Sequence, residues 1–189
     1  QVDAAAVNDV AINPNPQGPA LEFEFDSTRP QLTLSSTHTY FTRISPIPVV
    51  VAFTEHVEMF GVDDFTTRGV AAELENFEGY GSFFAVGVVP QAEGLLTVSV
   101  NESECMDLAA NTNEPSNTLT FMFDTTQPTT TLTSNASMFE NTSPIYILTT
   151  FSEPILSSTL AHSDYTVQGS ASSLTAVVNA SAQSYSAYV

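Results

Sequence analysis

Residues 121–134 read FMFDTTQPTTTLTS, and residues 23–36 read FEFDSTRPQLTLSS. Each stretch opens on alternating apolar residues, Phe121 and Phe123 in one and Phe23 and Phe25 in the other. Alternation with a period of two puts one set of side chains on one face of a β-strand. Each then carries Asp, a hydroxyl residue, Thr and, two positions on, Pro, before a second alternating run. Proline fixes φ and lacks an N–H, and it biases the residue before it toward extended backbone. The shared phrase therefore marks a junction between two strand-built units.

The two copies belong to a longer repeat. Between 25–55 and 123–153, 13 of 31 positions are identical, among them Pro30/Pro128, Leu34/Leu132, Ser45/Ser143, Pro46/Pro144, Phe53/Phe151 and Glu55/Glu153. After a slip of two residues, Asp64 and Phe65 face Asp164 and Tyr165. Residues 8–26 join at the first offset through Asp9/Asp107, Asn13/Asn111 and Asn15/Asn113, and SYSAYV (184–189) aligns with SFFAVG (82–87). The repeat divides the chain into three. Residues 1–25 are the C-terminal strand or strands of a preceding unit, with Leu21, Phe23 and Phe25 inward. Residues 26–123 are a complete unit, and 124–189 an incomplete one lacking its last strands.

Within 26–123 the strand pattern recurs. Ile47, Val49, Val51 and Phe53 share a face, as do Phe84, Val86 and Val88, then Leu96, Val98 and Val100, then Leu119, Phe121 and Phe123. Six or seven short strands, each with one apolar face, predict an antiparallel β-sandwich. Phe53, Val86, Val98 and Phe121 are expected in one core. If the unit were a binding module, the stretch GVAAELENFEGYGS (69–82), with Phe77 and Tyr80, is the best candidate for its loop; Tyr185 and Tyr188 look more like strand residues.

Composition narrows the function. The 189 residues hold 21 Asp+Glu against 3 Lys+Arg, a formal charge of −18. Nucleic acid and anionic membranes attract clustered cations, so neither is expected as a partner. No apolar run is long enough for a membrane-spanning helix. Ser and Thr number 45, and low lysine with abundant hydroxyl residues fits an exported or surface protein. The sequence starts at Gln1 and is expected to be a processed protein or part of a longer one. Cys105 is the sole cysteine, so no disulfide forms within the chain. It reads as a small buried hydrophobe, with an intermolecular thiol partner as the alternative.

The order of the motifs resembles the tandem bacterial-type Ig-like repeats of large cell-surface proteins. The residues that carry this are DTTQPTTTLTS, TSPIYILTTFSEPI and SDYTVQG, together with DLAANTN (107–113), which looks like that family's D-x-A-G-N turn with Ala110 in place of the usual Gly. The resemblance spans all three segments. It implies tandem immunoglobulin-like antiparallel β-sandwich modules without the Ig disulfide, acting as a stalk or array, and it implies no chemistry.

The chemical motifs agree. No nucleophile elbow, zinc-binding HExxH, CxxC or phosphate loop is present. Of His38, His56 and His162, none recurs in repeat register. A pocket joining His56 or His162 to a nucleophile or carboxylate would argue for catalysis. Calcium needs several oxygen ligands, usually including more than one carboxylate. The repeated acids Asp26/Asp124, Glu55/Glu153 and Asp9/Asp107 sit at strand ends and junctions. Asp26, Asp124, Glu55, Glu153 and Asp107 are therefore candidate Ca²⁺ ligands at module junctions, and a turn-capping role for the junction Asp, with the other acids solvated, is the alternative. Sequons at Asn101, Asn135, Asn141 and Asn179 are candidate glycosylation sites.

Two functions follow. One is a structural spacer or assembly repeat of a long extracellular protein, such as a filament, flagellar hair, adhesin stalk or surface layer. Its partners are neighbouring repeats and other copies in an assembly. The other is an adhesin module that grips a carbohydrate or protein through loops at one pole. With almost no linker between them, consecutive modules are expected end to end in a fixed, extended arrangement.

Overall fold

The computed structural model describes residues 1–136, 143–168, 176–181 and 183–188. Among them are no α-helices. The chain divides into two units, Gln1–Thr125 and Thr126–Val189. The alternating runs of the first unit become eight strands. These are β1 (Leu32–Ser35), β2 (Phe41–Thr42), β3 (Ile47–Phe53), β4 (Phe65–Gly69), β5 (Ala72–Tyr80), β6 (Phe83–Pro90), β7 (Gly94–Val100) and β8 (Leu119–Phe123).

They form two sheets, ordered β1-β3-β6-β5 and β2-β8-β7-β4. Every neighbouring pair is antiparallel except β2 and β8, which run parallel through Phe41–Met122 and Thr42–Phe123. The apolar faces of the two sheets meet in one core, a sandwich-like arrangement. Val49, Val51 and Val88 from the first sheet and Leu96 and Val98 from the second are fully buried. Each such side chain contributes about 1.5–3 kcal/mol on leaving water. Phe53, Val86, Val98 and Phe121 all belong to this core, as the alternation requires.

The stretch 69–82 is not a loop. It forms the end of β4, a tight turn and β5, which pairs with β6 from Ala72–Pro90 to Tyr80–Phe83. A bulge between Glu75 and Glu78, with Asn76 at φ 53°, breaks the period of two. The bulge turns Phe77 back to the core, where it stacks on Phe84 with ring centroids 5.8 Å apart. Tyr80 remains exposed.

Residues 19–25 differ from expectation as well. They form no strand, and Leu21, Phe23 and Phe25 are exposed. Their counterparts in β8 are seated between β2 and β7, and these partners are already filled in unit 1.

The second unit holds β9 (Thr130–Ser134), β10 (Tyr146–Phe151), β11 (Ala176–Ser181) and β12 (Ser184–Tyr188), ordered β11-β12-β10-β9. This order repeats that of β5-β6-β3-β1. Thr149 faces Tyr185 as Val51 faces Phe84. The true counterpart of Phe84 is thus Tyr185, one residue off the alignment of SYSAYV with SFFAVG. One residue decides which face a side chain takes: Tyr185 is buried, whereas the aligned Phe83 is exposed. Tyr165, the counterpart of Phe65, shares a hydrogen bond of 2.8 Å with the buried Thr149.

Candidate metal centre

Three segments converge at one pole of the first unit. The first is the phrase DSTRP. Asp26 Oδ1 accepts the Thr28 N–H at 2.8 Å, an Asx turn that sets the chain direction into the module. Pro30 is fully buried, and its carbonyl accepts the Glu114 N–H at 2.9 Å. The second segment follows the end of β3 and carries Glu55 and His56.

The third is the loop 101–114, built around two asparagines and an aspartate. Asn113 is fully buried. Its Oδ1 accepts the N–H groups of Glu104 at 2.8 Å and Cys105 at 2.9 Å, and its Nδ2 donates to the carbonyls of Asn101 and Glu114, both at 2.8 Å. Asp107 Oδ1 accepts the N–H groups of Ala109 at 2.8 Å and Asn111 at 2.9 Å, while Oδ2 accepts Asn111 Nδ2 at 2.9 Å. The turn takes Ala110 to φ 67°, left-handed backbone that favours glycine.

Residues 3–16 fold into the same loop. Asp9 accepts from Ala11, Asn13 and the Asn13 amide, and Asn15 accepts from Val7 and donates to the carbonyls of Asp3 and Pro16. Ile12 stands at φ 69°, as Ala110 stands at 67°. Each of these partners lies 98 positions before its equivalent. The sequence repeat is therefore also a repeat of hydrogen bonds.

Arg29 fastens loop 101–114 to the phrase. Its Nε donates to the Thr112 carbonyl at 2.8 Å and its Nη2 to the Asn113 carbonyl at 2.7 Å. It also pairs with Glu114 at 2.5 Å and approaches Glu102 at 3.6 Å.

Together these segments bring Asp26, Glu55 and Asp107 into one cluster, with an oxygen of each within 4.8 Å of the others. They line a cavity of about 310 Å³ with Glu24, His56, Leu108 and Ala109. Desolvation, then the charges of Asp26 and Asp107, raise the pKa of Glu55 above the usual glutamate range. Asp107 goes the other way. Its burial at the cavity wall opposes ionisation, but hydrogen bonds from the Asn111 side chain and from the N–H groups of Asn111, Ala109 and Ala110 outweigh it and lower its pKa.

The chemistry of this donor set is simple: hard, anionic oxygens and no sulfur. Three carboxylates supply up to about six oxygens, which matches what Ca²⁺ takes, with water completing the shell. A divalent cation there would offset the charges of Asp26 and Asp107, which add to desolvation in raising Glu55. Compared with protein families, curated proteins and solved structures, the chain matches none.

Of the five acids singled out from sequence, three converge. Asp124 lies just past β8, where its N–H donates to the Thr42 carbonyl at 3.0 Å. Glu153, in the second unit, lines a cavity with Pro128, Ile155 and Leu156, an apolar setting unlike that of Glu55. Asp64 instead holds a turn: its Oδ2 accepts the Gly61 N–H at 2.7 Å, as Asp164 accepts Ala161 at 2.7 Å.

His56 lines the cavity, and its Nε2 lies 2.8 Å from Glu58 Oε1. This is the kind of pairing named above as an argument for catalysis. The side chain of His162 falls outside the described residues. Asn101 and Asn135 are exposed in loops that follow β7 and β9. Asn141 lies outside the described residues, as does the side chain of Asn179 in β11. Cys105 is buried, and burial, then Asp64 and Glu104, pushes its thiol up to about 12. Asn111, Asn113 and Arg29 escaped the sequence reading as site residues. The recurrence of both asparagines in the repeat was the available signal.

Proposed function

We propose that the chain is a segment of a long extracellular structural protein built from tandem Ig-like repeats, that it catalyses nothing, and that Asp26, Glu55 and Asp107 bind Ca²⁺ where the chain enters a repeat. The observation that carries the reading is the congruence of residues 3–16 with 101–114. A loop whose hydrogen bonds recur at the period of the sequence repeat is what tandem modules produce; Asn15 repeats three of the four side-chain bonds of Asn113, and Ala6 N–H, the counterpart of Glu104 N–H, turns to the Asp3 carbonyl instead.

The strand order supports the Ig-like part. With β1, β3, β6 and β5 read as strands A, B, E and D, and β8, β7 and β4 as G, F and C, the strand order agrees with that expected of an immunoglobulin-like sandwich. The binding-module alternative loses its main support, because Phe77 packs in the core rather than on a loop. The His56–Glu58 pair speaks for chemistry. The cavity lining offers only carboxylates as nucleophiles, the pair itself is half exposed, and the non-catalytic reading therefore rests on the experiment below.

Three experiments test the proposal. Antibody against residues 26–123 should label intact, unpermeabilised cells, and labelling only after permeabilisation overturns the surface role. Calorimetric titration with CaCl₂ should give a saturable heat that Asp107→Asn abolishes. A wild-type titration without heat or thermal shift overturns the metal. Any hydrolytic turnover lost in His56→Ala overturns the non-catalytic assignment.

A further inference from the structure

Strands turn alternate side chains away from the core, so each sheet of the sandwich has a second, outer face. On the sheet β1-β3-β6-β5 the middle of that face is apolar, with Val50, Phe83 and Ala85 turned outward. One edge of it is acidic. The edge strand β5 turns Glu73, Glu75 and Glu78 to this side, opposite Val89, Gly87 and Ala85 of β6. All three glutamates are exposed, and none has an ion-pair partner among the described residues. The four strands carry no basic residue.

The sheet β2-β8-β7-β4 is the converse. Phe41, Met122 and Leu95 form one row across three strands on its outer side, where Phe41 and Leu95 are exposed. On the edge strand β4, Arg68 faces Thr97 on the same side and is exposed. Arg43, also exposed, follows β2 at the opposite edge. Neither arginine has an acidic partner among the described residues. These four strands carry no acidic residue. In a chain with 21 Asp+Glu and 3 Lys+Arg, a face free of acids and flanked by two of the three arginines stands apart.

We propose that the arginine-bearing face of one copy packs on the acid-edged face of a second copy. The inference rests on the proposed structural role and names the contact by which copies join side by side. The partner is this chain itself, because one module carries both complementary faces. Apolar rows meet, and the arginines meet carboxylates. Beside the bulge of β5 a hollow of about 290 Å³ is lined by Glu78, Phe83 and Ala85. A guanidinium there can stack on the ring and pair with the carboxylate. Unlike faces do not close on themselves, so copies add one after another. Four strands about 4.8 Å apart and about five residues long give a footprint of roughly 300 Å². That is below the roughly 800 Å² per partner of a standard interface, so one contact is weak and an array multiplies it. Screening over about 8 Å leaves the facing charges in reach of one another and mutes the rest of the chain's −18. In the second unit β11, the counterpart of β5, reads AVVNAS and has no acid, so the contact belongs to the complete repeat.

Sedimentation velocity of the whole chain in EDTA and about 0.15 M NaCl tests this. The sedimentation coefficient should rise between about 10 µM and about 1 mM protein, the range of a weak contact. Arg43→Glu with Arg68→Glu should weaken association at least about tenfold, and so should Glu73→Arg with Glu75→Arg and Glu78→Arg. An equimolar mixture of the two variants should restore it, because each keeps the face that the other has lost. The glutamate-reversed variant is less negative than the wild type. Overall repulsion alone therefore predicts stronger association for it, and the contact predicts weaker.

A wild-type chain that stays monomeric overturns the contact, whatever surface labelling shows, so the two proposals fail separately. Stronger association of the glutamate-reversed variant overturns it too. The same holds for a mixture that stays monomeric while both variants keep the wild-type thermal midpoint. Where a reversal lowers that midpoint, Arg68→Gln and Glu75→Gln take its place, and each should weaken association about twofold. Association that ignores the reversals also overturns the contact, and its loss in Phe23→Ser with Phe25→Ser would trace it to the exposed residues 21–25.

Discussion

Asn113→Ala isolates the group that shapes the pole. The side chain is fully buried and satisfies two backbone N–H groups and two carbonyls. Alanine keeps the backbone but leaves all four without this partner. An orphaned buried polar group costs about 1–3 kcal/mol, less where water replaces the amide. With water reaching the two carbonyls, which lie toward the loop surface, the net loss is about 3–4 kcal/mol. That is a large share of the 5–15 kcal/mol typical of a folded domain. For a unit of this size each kcal/mol lowers Tm by about 4–8 °C, so the midpoint should fall by about 12–30 °C. Urea unfolding followed by tyrosine fluorescence and far-UV circular dichroism reads it. The chain contains its own control. Asn15 makes three of the four equivalent bonds in the exposed loop 3–16, so Asn15→Ala should change unfolding of the first unit by less than about 0.5 kcal/mol. A loss below about 1 kcal/mol for Asn113→Ala, or equal losses for the two variants, would refute the reasoning, since burial is what separates them.

Ala110→Gly should stabilise the first unit by about 0.5–1 kcal/mol, because the left-handed backbone at φ 67° costs alanine more than the added chain entropy costs glycine; a lower thermal midpoint would show the turn relaxed by other means. Phe77→Ala should cost about 3 kcal/mol, the value for a partly buried core aromatic, and a change under about 1 kcal/mol would return residue 77 to a loop role. The pH dependence has two signs. Glu55, with its pKa raised in the fold, favours folding on the acid side, and that contribution is lost as pH rises from the usual glutamate range through its folded value. Asp107, with its pKa lowered, favours folding above the usual aspartate range, and that contribution is lost on acidification through its folded value. Thermal midpoints measured in EDTA should therefore fall on both sides of the carboxylate range. Millimolar Ca²⁺ should remove the fall on the alkaline side, and a Glu55→Gln variant that keeps this fall would place its origin elsewhere.

Alternation alone identified the buried faces of β3, β6, β7 and β8, because a period of two is a local property that any strand must express. The repeat was likewise legible, and it picked out the aspartates that hold the loops. Where local pattern failed, the cause was non-local or a single-residue event. The bulge at Asn76 broke the alternation around Phe77, so a strand looked like a loop. One residue of register moved Tyr185 from the exposed face to the buried one. Residues 19–25 keep the alternating pattern, yet they form no strand and leave Leu21, Phe23 and Phe25 exposed. Above all, Asp26, Glu55 and Asp107 come from three distant segments, and the sequence nominated them together with Asp124 and Glu153 on equal terms. Only the packing of loop 101–114 against the DSTRP phrase, held by Arg29 and Asn113, brought three of the five within one cation's reach. The same packing set β2 parallel to β8, a relation between residues about 80 positions apart that tertiary contact alone decides.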